Sequence, residues 1–209
     1  NQTLAWEVNC LALYKMLEFS KLNKIKQFIY ASSGSVYGLK KERKVTEDLS
    51  LIPLSTYNKT KMIAERILLS FEKDIKVHIV RPATVCGLSP RMRFDLTVNL
   101  LTLQAINNKV IKVFGGKQIR PNIHIKDLVN VYNFFIDNIN IPSGFYNAGF
   151  ENMSLLKIAK QISKATGAKI KITKSNDPRS YRQSSEKLIK YGFNPKFKIK
   201  DAIDEIVKN

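Results

Sequence analysis

The chain has 209 residues, with 35 lysines and arginines against 17 aspartates and glutamates, which gives a formal net charge of +18. This length is enough to bury a core in one or two domains, and no apolar run is long enough to span a bilayer. Cys10 and Cys86 stand alone, so the sequence predicts neither a disulfide framework nor a zinc site and favours the reducing cytoplasm. The lysines are scattered along the chain. Solvated faces around a site for an anionic substrate are therefore predicted, with nucleic-acid binding as the weaker alternative.

Apolar runs separated by turn residues predict alternating helices and strands, the pattern of an α/β chain. Ser154 is predicted to cap the start of one helix and Gly167 to end it. In chain order, the predicted elements are a buried helix over 4–20, a strand over 26–31, a turn-rich loop over 38–53, a helix from Tyr57 to about Phe71, a strand over 77–82, a helix over 93–108, a strand over 110–114, a helix from Asp127 to about Asn138, a strand over 144–148, a helix between Ser154 and Gly167, a strand over 169–173 and a helix over 199–208.

Tyr57 and Lys61 are four residues apart, so a helix places them on one face. A free phenol has a pKa of about 10 and is a poor base at neutral pH, but a neighbouring cation stabilises the phenolate and lowers that pKa. A serine hydroxyl facing the pair would hold a substrate hydroxyl while its proton is removed. The segment Ala31-Ser-Ser-Gly-Ser-Val-Tyr-Gly38 supplies serines at the end of a predicted strand. Together, the two segments indicate a proton-transfer site.

In this order and at this separation, the serine segment and the Tyr57–Lys61 pair resemble the extended short-chain dehydrogenase/reductases, the NAD-dependent epimerase/dehydratase family that acts on nucleotide sugars. The resemblance runs from about residue 4 to the end. It implies that Ser33, Tyr57 and Lys61 are catalytic, with Tyr57 as the acid/base and Lys61 also holding the nicotinamide ribose. It further implies NAD as the cofactor (NADP is the alternative), a nucleotide-sugar substrate and a homodimer in the full-length protein.

The same resemblance assigns binding roles to further residues, and it implies no metal site. The implied cofactor-binding residues are Asn9, Ala31, Ser32, Tyr57, Lys61, Arg81, Pro82 and Thr84. The implied substrate-binding residues are Ser33, Ser35, Thr84, Asn99, Phe114, Arg120, Lys174 and Arg179.

Three of these assignments carry alternatives. Arg120 would hold the substrate pyrophosphate, because arginine suits bidentate phosphate recognition, but it could also be a surface cation. Phe114 would either contact the nucleotide base or simply pack in the core. A further contact to the substrate phosphates, late in the sequence, is assigned to either Lys174 or Arg179.

The fold that the resemblance implies is α/β: the C-terminal part of a doubly wound Rossmann-like parallel sheet plus a small substrate-binding α/β subdomain. Residues 1–84 would form a partial NAD-binding domain and 85–209 mainly the substrate-binding subdomain, with 120–149 returning to the sheet. The strands over 26–31, 77–82 and 144–148 would be successive neighbours in this sheet.

The family's Gly-rich turn, which brings the cofactor pyrophosphate onto a helix N-terminus, is not found in the sequence. The chain is therefore expected to be part of a longer polypeptide, with natural truncation as the alternative. By itself it is expected not to bind NAD.

Two positions narrow the reaction. Sugar 4,6-dehydratases of the family carry Asp-Glu directly after the catalytic threonine, whereas this sequence has Gly34 and Ser35, which do not titrate usefully. An epimerase is therefore predicted. A 4-keto reductase or dehydrogenase, and a non-catalytic basic fragment that binds a sugar nucleotide or RNA, are the alternatives. His124 is predicted to be structural, and Asp127 to be stabilised by a helix dipole.

Overall fold

The computed structural model describes residues 1–175, 177 and 180–209, and it has the predicted α/β composition. The predicted strands over 26–31, 77–82, 110–114, 144–148 and 169–173 are all present, displaced by at most one residue. The helices are α1 (Gln2–Trp6), α2 (Leu13–Leu22), α3 (Thr56–Ser70), α4 (Thr97–Asn108), α5 (Ile125–Asp137), α6 (Leu155–Thr166), α7 (Glu186–Lys190) and α8 (Ile199–Lys208). The strands are β1 (Gln27–Ala31), β2 (Lys76–Pro82), β3 (Thr84–Cys86), β4 (Val110–Phe114), β5 (Ile119–His124), β6 (Gly144–Ala148), β7 (Glu151–Ser154) and β8 (Lys169–Thr173).

The first sheet is parallel, with the strand order β1-β2-β6. Strands of parallel sheets are covered by helices on both faces, and here α2 and α3 pack on one face while α5 packs on the other. The central strand β2 is accordingly buried along nearly its whole length. The predicted neighbour relation of the three strands is confirmed, and β1 forms one edge of this sheet.

The other strands form two smaller sheets. β3, β5 and β7 pair in the order β3-β5-β7, and β4 pairs in parallel with β8. Helices α4, α6 and α8 cover these strands around a separate apolar cluster that includes Leu101, Ile158 and Ile203. Residues 120–149 therefore divide between two sheets, since β5 lies in the second sheet and β6 in the first. This corrects the expectation that they return together to the first sheet.

The N-terminal helical segment also differs from its prediction. It continues as a π-helix over Glu7–Ala12 between α1 and α2, and only one face of it is buried. Leu13 and Leu17 pack against the first sheet, but Leu11 is 63% and Phe19 68% exposed. The expectation of a helix buried on most sides is therefore wrong for the outer face. Across the described residues, none of the helices is both long and apolar enough to cross a membrane.

Candidate active site

Tyr57 and Lys61 lie in the first two turns of α3 and share one face of it. The hydroxyl of Ser55 accepts a hydrogen bond from the Asn58 amide and caps the helix, which fixes where the helix begins. The Tyr57 side chain is 48% exposed. The Nζ atom of Lys61 lies 5.8 Å from the centre of the Tyr57 ring. The predicted arrangement of a cation beside a phenol is therefore present.

Lys61 is held at the end of β1. Its Nζ atom donates to the carbonyl of Ala31 at 2.9 Å and to the hydroxyl of Tyr30 at 3.1 Å. Burial lowers the pKa of Lys61, while Cys10 and the carboxylate of Glu65 act in the opposite direction. Burial also raises the pKa of Tyr30, so its hydroxyl stays protonated at neutral pH. The ammonium of Lys61 is thus fixed between two tyrosine rings.

Ser33 belongs to a short chain of hydrogen bonds. Its Oγ atom lies 2.7 Å from the Oγ of Ser35, and the Ser35 hydroxyl donates to the Oδ1 of Asn58, also at 2.7 Å. Since the single hydroxyl proton of Ser35 is used towards Asn58, the Ser33 hydroxyl donates to Ser35. The Ser33 oxygen also accepts from the Ser35 amide at 3.2 Å. Ser35 thus holds the Ser33 side chain just after the end of β1.

Asn9 lies on the π-helical segment and contacts α3. Its Nδ2 atom donates to the Oγ1 of Thr60 at 2.9 Å, and the Thr60 hydroxyl donates to the carbonyl of Tyr57 at 2.9 Å. This contact places the N-terminal helical segment against the turn of α3 that carries Tyr57. The cofactor role assigned to Asn9 stays a prediction.

Ser32 and Arg81, two of the predicted cofactor contacts, point into the protein. Ser32 is 4% and Arg81 2% exposed. The Ser32 hydroxyl donates to Glu65 at 2.5 Å, and Arg81 forms an ion pair with Glu65 at 2.7 Å. Arg81 also donates to the hydroxyl of Tyr37. The polar groups of both side chains are therefore bound inside the core, and the assignment of these two residues to cofactor contact stays a prediction.

Three other predicted cofactor residues lie where the first sheet ends. Ala31 is the last residue of β1, Pro82 is the last residue of β2, and Thr84 begins β3 directly afterwards. Cofactors and substrates of open parallel sheets bind outside the carboxyl ends of the strands, so this location agrees with the assigned role, which stays a prediction.

A cavity of about 540 Å³ lies beside the serine segment. Its lining includes Ser35, Asn58, Thr84, Arg120, Asp177 and Tyr181. Arg120 is only 13% exposed and forms an ion pair with Asp177 at 2.7 Å. The cavity therefore has a guanidinium group on one wall, with hydroxyl and amide groups on another.

Asn99, Phe114 and Lys174 do not line this cavity. The Oδ1 of Asn99 accepts from the Gly87 amide at 3.1 Å, and its Nδ2 donates to the Arg93 carbonyl at 2.9 Å. Asn99 is 3% exposed and its side chain fixes the loop before α4; its assignment as a substrate contact stays a prediction. Phe114 is exposed at the end of β4, which excludes the alternative of core packing. Lys174 is exposed after β8, and Arg179 lies outside the described residues.

Two polar residues near the site were not singled out from the sequence. Glu65 lies eight residues after Tyr57, so the helical period that links Tyr57 to Lys61 also places Glu65 on the same face. Asn58 follows Tyr57 directly and faces the serine segment. The spacing of Glu65 was a usable signal, whereas Asn58 meets Ser35 only because the folded chain brings α3 against the serine segment.

No cluster of three or more His, Cys, Asp or Glu side chains suited to a metal ion occurs among the described residues. The ring of His124 caps α5 by accepting from the Lys126 amide and stacks on Phe197 at 5.0 Å. Asp127 is buried and accepts bonds from the backbone amides of Lys196 and Phe197. The prediction that His124 is structural agrees with these contacts. Asp127 fastens the start of α5 to the segment before α8.

The relatives that match this chain include proteins whose names state an epimerase activity on UDP-sugars. A protein of Bacillus subtilis described as an uncharacterized UDP-glucose epimerase is 34% identical over 165 residues, which are 77% of this chain and 51% of that protein. The UDP-glucose 4-epimerase of Lactobacillus helveticus is 25% identical over 230 residues, covering 97% of this chain and 68% of the relative.

A solved structure shows the same fold. UDP-glucuronic acid 4-epimerase from Bacillus cereus, in complex with UDP-glucuronic acid and NAD, superposes with a TM-score of 0.83 at 30% identity and covers 96% of this chain and 66% of its own. The fold is therefore Rossmann-like, as predicted, and the chain spans about half of the Bacillus subtilis relative. The sequence profile of the NAD dependent epimerase/dehydratase family matches residues 1–149. Since this match takes in more than half of the chain, the chain belongs to that family.

Proposed function

We propose that this chain supplies the catalytic residues and the substrate-binding part of an NAD-dependent nucleotide-sugar epimerase. The proposal rests mainly on the position of Tyr57 and Lys61, which α3 places beside the end of β1. Ser33, which is hydrogen-bonded to Ser35, follows the same strand end. The cavity next to them holds Arg120. Relatives whose names state a 4-epimerase activity on UDP-sugars support the substrate class.

The residues at the carboxyl edge of the first sheet fit the nicotinamide and ribose end of NAD. An ammonium group (Lys61), a half-exposed phenol (Tyr57) and the exposed strand end at Ala31 meet there. Ribose hydroxyls accept bonds from an ammonium group, and Lys61 is positioned by its contacts with Ala31 and Tyr30. NAD supplies the hydride acceptor and donor when it is bound.

The chain's own residues would move the proton. The phenolic oxygen of Tyr57 takes the proton of a sugar hydroxyl while the attached carbon is oxidised, and returns it when the carbon is reduced. The ammonium of Lys61 stabilises the phenolate electrostatically. On substrate binding, the Ser33 hydroxyl would turn from Ser35 and donate to the oxygen of the same sugar hydroxyl, whose own proton goes to Tyr57. Position and electrostatics are thus what the protein contributes.

Arg120 is the proposed contact for the substrate diphosphate. A guanidinium group forms bidentate bonds with phosphate oxygens, and Arg120 presents one at the cavity wall. Its ion pair with Asp177 places a carboxylate where the anion would bind. The substrate would therefore have to share or displace this partner.

The two residues after Ser33 support epimerisation over dehydration. Gly34 and Ser35 stand where 4,6-dehydratases of the family carry an acid and a base, and neither side chain can take these roles. A Cβ atom at Gly34 would lie 2.8 Å from the Oε1 of Gln183 and 3.1 Å from the carbonyl of Pro82, so a larger side chain would require this neighbourhood to adjust.

Replacing Tyr57 by phenylalanine tests the proposal. In the complete polypeptide that contains this chain, Tyr57→Phe should lower kcat by a factor on the order of 100 to 10,000, because the proton acceptor is removed. Fold and NAD affinity should be little changed. Tyr14→Phe is the matched control, since Tyr14 is an exposed tyrosine on α2 whose hydroxyl donates to Glu18. Wild-type turnover of UDP-sugars by the Tyr57→Phe variant would show that the mechanism is wrong.

Lys61→Met should weaken NAD binding and lower kcat together, because the same ammonium serves the ribose and the phenolate. Lys59→Met is the control, since Lys59 is exposed on another face of α3. Calorimetry measures the cofactor affinity, and a coupled assay of sugar-nucleotide isomers measures turnover. An unchanged NAD affinity for Lys61→Met would contradict the assigned role.

A nucleotide-sugar 4-keto reductase or dehydrogenase would use the same three residues. The two reactions differ in cofactor balance, because an epimerase regenerates its NAD in each cycle whereas the alternatives consume one equivalent of cofactor. The absorbance of NADH at 340 nm during turnover distinguishes them. A non-catalytic basic fragment would give no turnover and would leave the Tyr57–Lys61 geometry without use.

We further propose a cytoplasmic homodimer for the complete polypeptide. Both cysteines, Cys10 and Cys86, are free thiols, which supports a reducing compartment. Exposed apolar side chains on the N-terminal helical segment over 2–22, such as Leu4, Leu11 and Phe19, support a contact with another surface. Light scattering of the complete polypeptide would measure its mass, and a monomer at micromolar concentration would refute the dimer.

A further inference from the structure

Glu65 is a buried carboxylate on the helix that carries Tyr57. Its side chain is 1% exposed, and that of its partner Arg81 is 2% exposed. Both carboxylate oxygens are bound: Oε1 accepts from Arg81 Nε at 2.9 Å and from the Ser32 hydroxyl at 2.5 Å, and Oε2 accepts from Arg81 Nη2 at 2.7 Å. The paired contact from Arg81 fixes both the position and the plane of the carboxylate.

The contacts of Glu65 join the parts of the site. Ser32 is the residue before Ser33, so its bond to Glu65 ties the end of β1 to α3 one turn after Lys61. Arg81 belongs to β2, and its Nη1 donates to the hydroxyl of Tyr37 at 2.8 Å. Tyr37 in turn donates to Asn147 of β6 at 2.8 Å. One network therefore connects α3 with all three strands of the first sheet.

Stability alone gives little reason for this network. Removing two charges from water costs several kcal/mol per ion, and apolar residues of similar volume often replace a buried ion pair without loss of stability. Apolar residues do not fix an orientation, whereas a bidentate ion pair with a third hydrogen bond defines one rotation of the helix against the strand end.

We propose that Glu65 is a positioning residue, which sets the rotation and height of α3 against the end of β1 so that Tyr57 and Ser33 face the same substrate hydroxyl. Ser32 and Arg81 act with it as the two anchors on the sheet. The effect on turnover rests on the proposed function, whereas the effect on local order does not. A displacement of about 1 Å between reacting groups can cost on the order of 100-fold in rate.

Two variants separate positioning from simple core stability. Ser32→Ala removes the bond between the strand end and Glu65 but leaves the ion pair. Glu65→Leu with Arg81→Met replaces the whole ion pair by apolar side chains, which should restore the packing lost in either single variant. In the complete polypeptide, both variants should unfold within a few degrees of wild type, and kcat should fall about tenfold or more with little change in KM.

A matched control uses another ion pair at the end of the same helix. Lys21 pairs with Asp74 at 2.8 Å just after α3, and both side chains are exposed, at 53% and 38%. Lys21→Gln with Asp74→Asn should leave kcat at the wild-type value. If the stable Glu65→Leu, Arg81→Met variant also kept wild-type kcat, the positioning role would be refuted.

Amide hydrogen exchange gives a readout that does not depend on turnover. At equal global stability, Ser32→Ala and the double variant should exchange faster than wild type over 31–35 and 56–61, and elsewhere at the wild-type rate. If the variants exchange faster locally but the wild type has no epimerase activity, the proposed function is rejected and the positioning role is kept. Unchanged local exchange in both variants would overturn the inference whatever the activity.

Discussion

At the scale of single residues, the donors and acceptors around a side chain decide which proton it carries. Lys61 donates to a carbonyl and to a protonated phenol, so both contacts favour its charged form even though burial opposes it. The same reasoning identifies the state of His78 on β2. Its Nε2 must donate to the carbonyl of Ile141 at 2.9 Å, and its Nδ1 must accept from the Gln27 side-chain nitrogen at 3.1 Å. The ring is therefore neutral, with its proton on Nε2.

His78 should make stability depend on pH. Burial is the main cause that lowers its pKa, and a proton on Nδ1 would also face the Gln27 donor. The unfolded state, with an ordinary histidine pKa of about 6.5, binds the proton more readily. The free energy of unfolding should therefore be complete above that pH and should fall as the pH drops from about 6.5 towards the lower folded-state pKa.

Urea unfolding between pH 8 and pH 5 measures this dependence. His78→Asn removes the titrating group and should give a shallower decrease, with the remaining part coming from His124, whose pKa is also lowered by burial. A tenfold difference in proton affinity between the two states corresponds to about 1.4 kcal/mol. Equal slopes for wild type and His78→Asn would contradict the prediction.

At the scale of elements, helix ends are set by a few residues. The hydroxyl of Ser154 accepts from the Lys157 amide and begins α6, and Gly167 ends it with φ +73°. Both ends agree with the sequence-based prediction. A Cβ atom at Gly167 would meet nothing within 4 Å, so only the backbone conformation requires glycine there.

Gly167→Ala should therefore destabilise the protein by about 1 kcal/mol, because an L-residue is strained in the left-handed region. Gly167→Asn should cost less, since asparagine tolerates this region. Lys160→Ala on the exposed face of α6 is the control and should stay within about 0.5 kcal/mol of wild type. Thermal unfolding would show the order, and an alanine variant as stable as wild type would exclude the assumed strain.

The strands show which elements the local sequence pattern can predict. The five predicted strands are runs rich in β-branched and aromatic residues, which is why the sequence identified them. β3, β5 and β7 were not predicted: β3 has three residues, and β5 contains Pro121 at its centre. Their strand character comes from pairing with one another, and that pairing joins residues far apart in the sequence.

The candidate site likewise contains residues that the sequence pattern predicts and residues whose roles it does not predict. Tyr57 and Lys61 follow from helical spacing, and Ser33 from its place after a strand. The roles of Arg81 and Asn99 could not be derived from spacing, because both side chains are bound by groups that only the folded chain brings near. Arg81 meets Glu65 from another element, and Asn99 meets the backbone of its own preceding loop.

At the scale of the whole molecule, the apolar outer face of the N-terminal helical segment over 2–22 should drive association of the 209-residue polypeptide. The net charge of +18 opposes this at low salt, but it is screened beyond about 8 Å at physiological ionic strength. Light scattering should therefore show association that rises with salt. The unpaired edge of β1 offers a second surface for it.

Two substitutions distinguish these surfaces. Leu11→Glu with Phe19→Glu should reduce association if the helix face is the contact, whereas association that persists would assign it to the β1 edge. Ile136→Glu, at an exposed apolar position of α5, is the control and should change nothing. A monodisperse wild-type monomer at physiological salt would contradict both.

The pairing of β4 with β8 has a consequence for the time course of folding. Val110 lies opposite Lys169 and Phe114 opposite Thr173, yet the chain between these strands contributes β5, β6 and β7 to the other two sheets. Parallel pairing across such a long connection is slow, because the loop must close before the contacts form. The pairing of β2 with β6 in the first sheet also spans a long connection, so we expect this sheet and the β4–β8 pair to be completed together in a slow phase of refolding rather than one after the other.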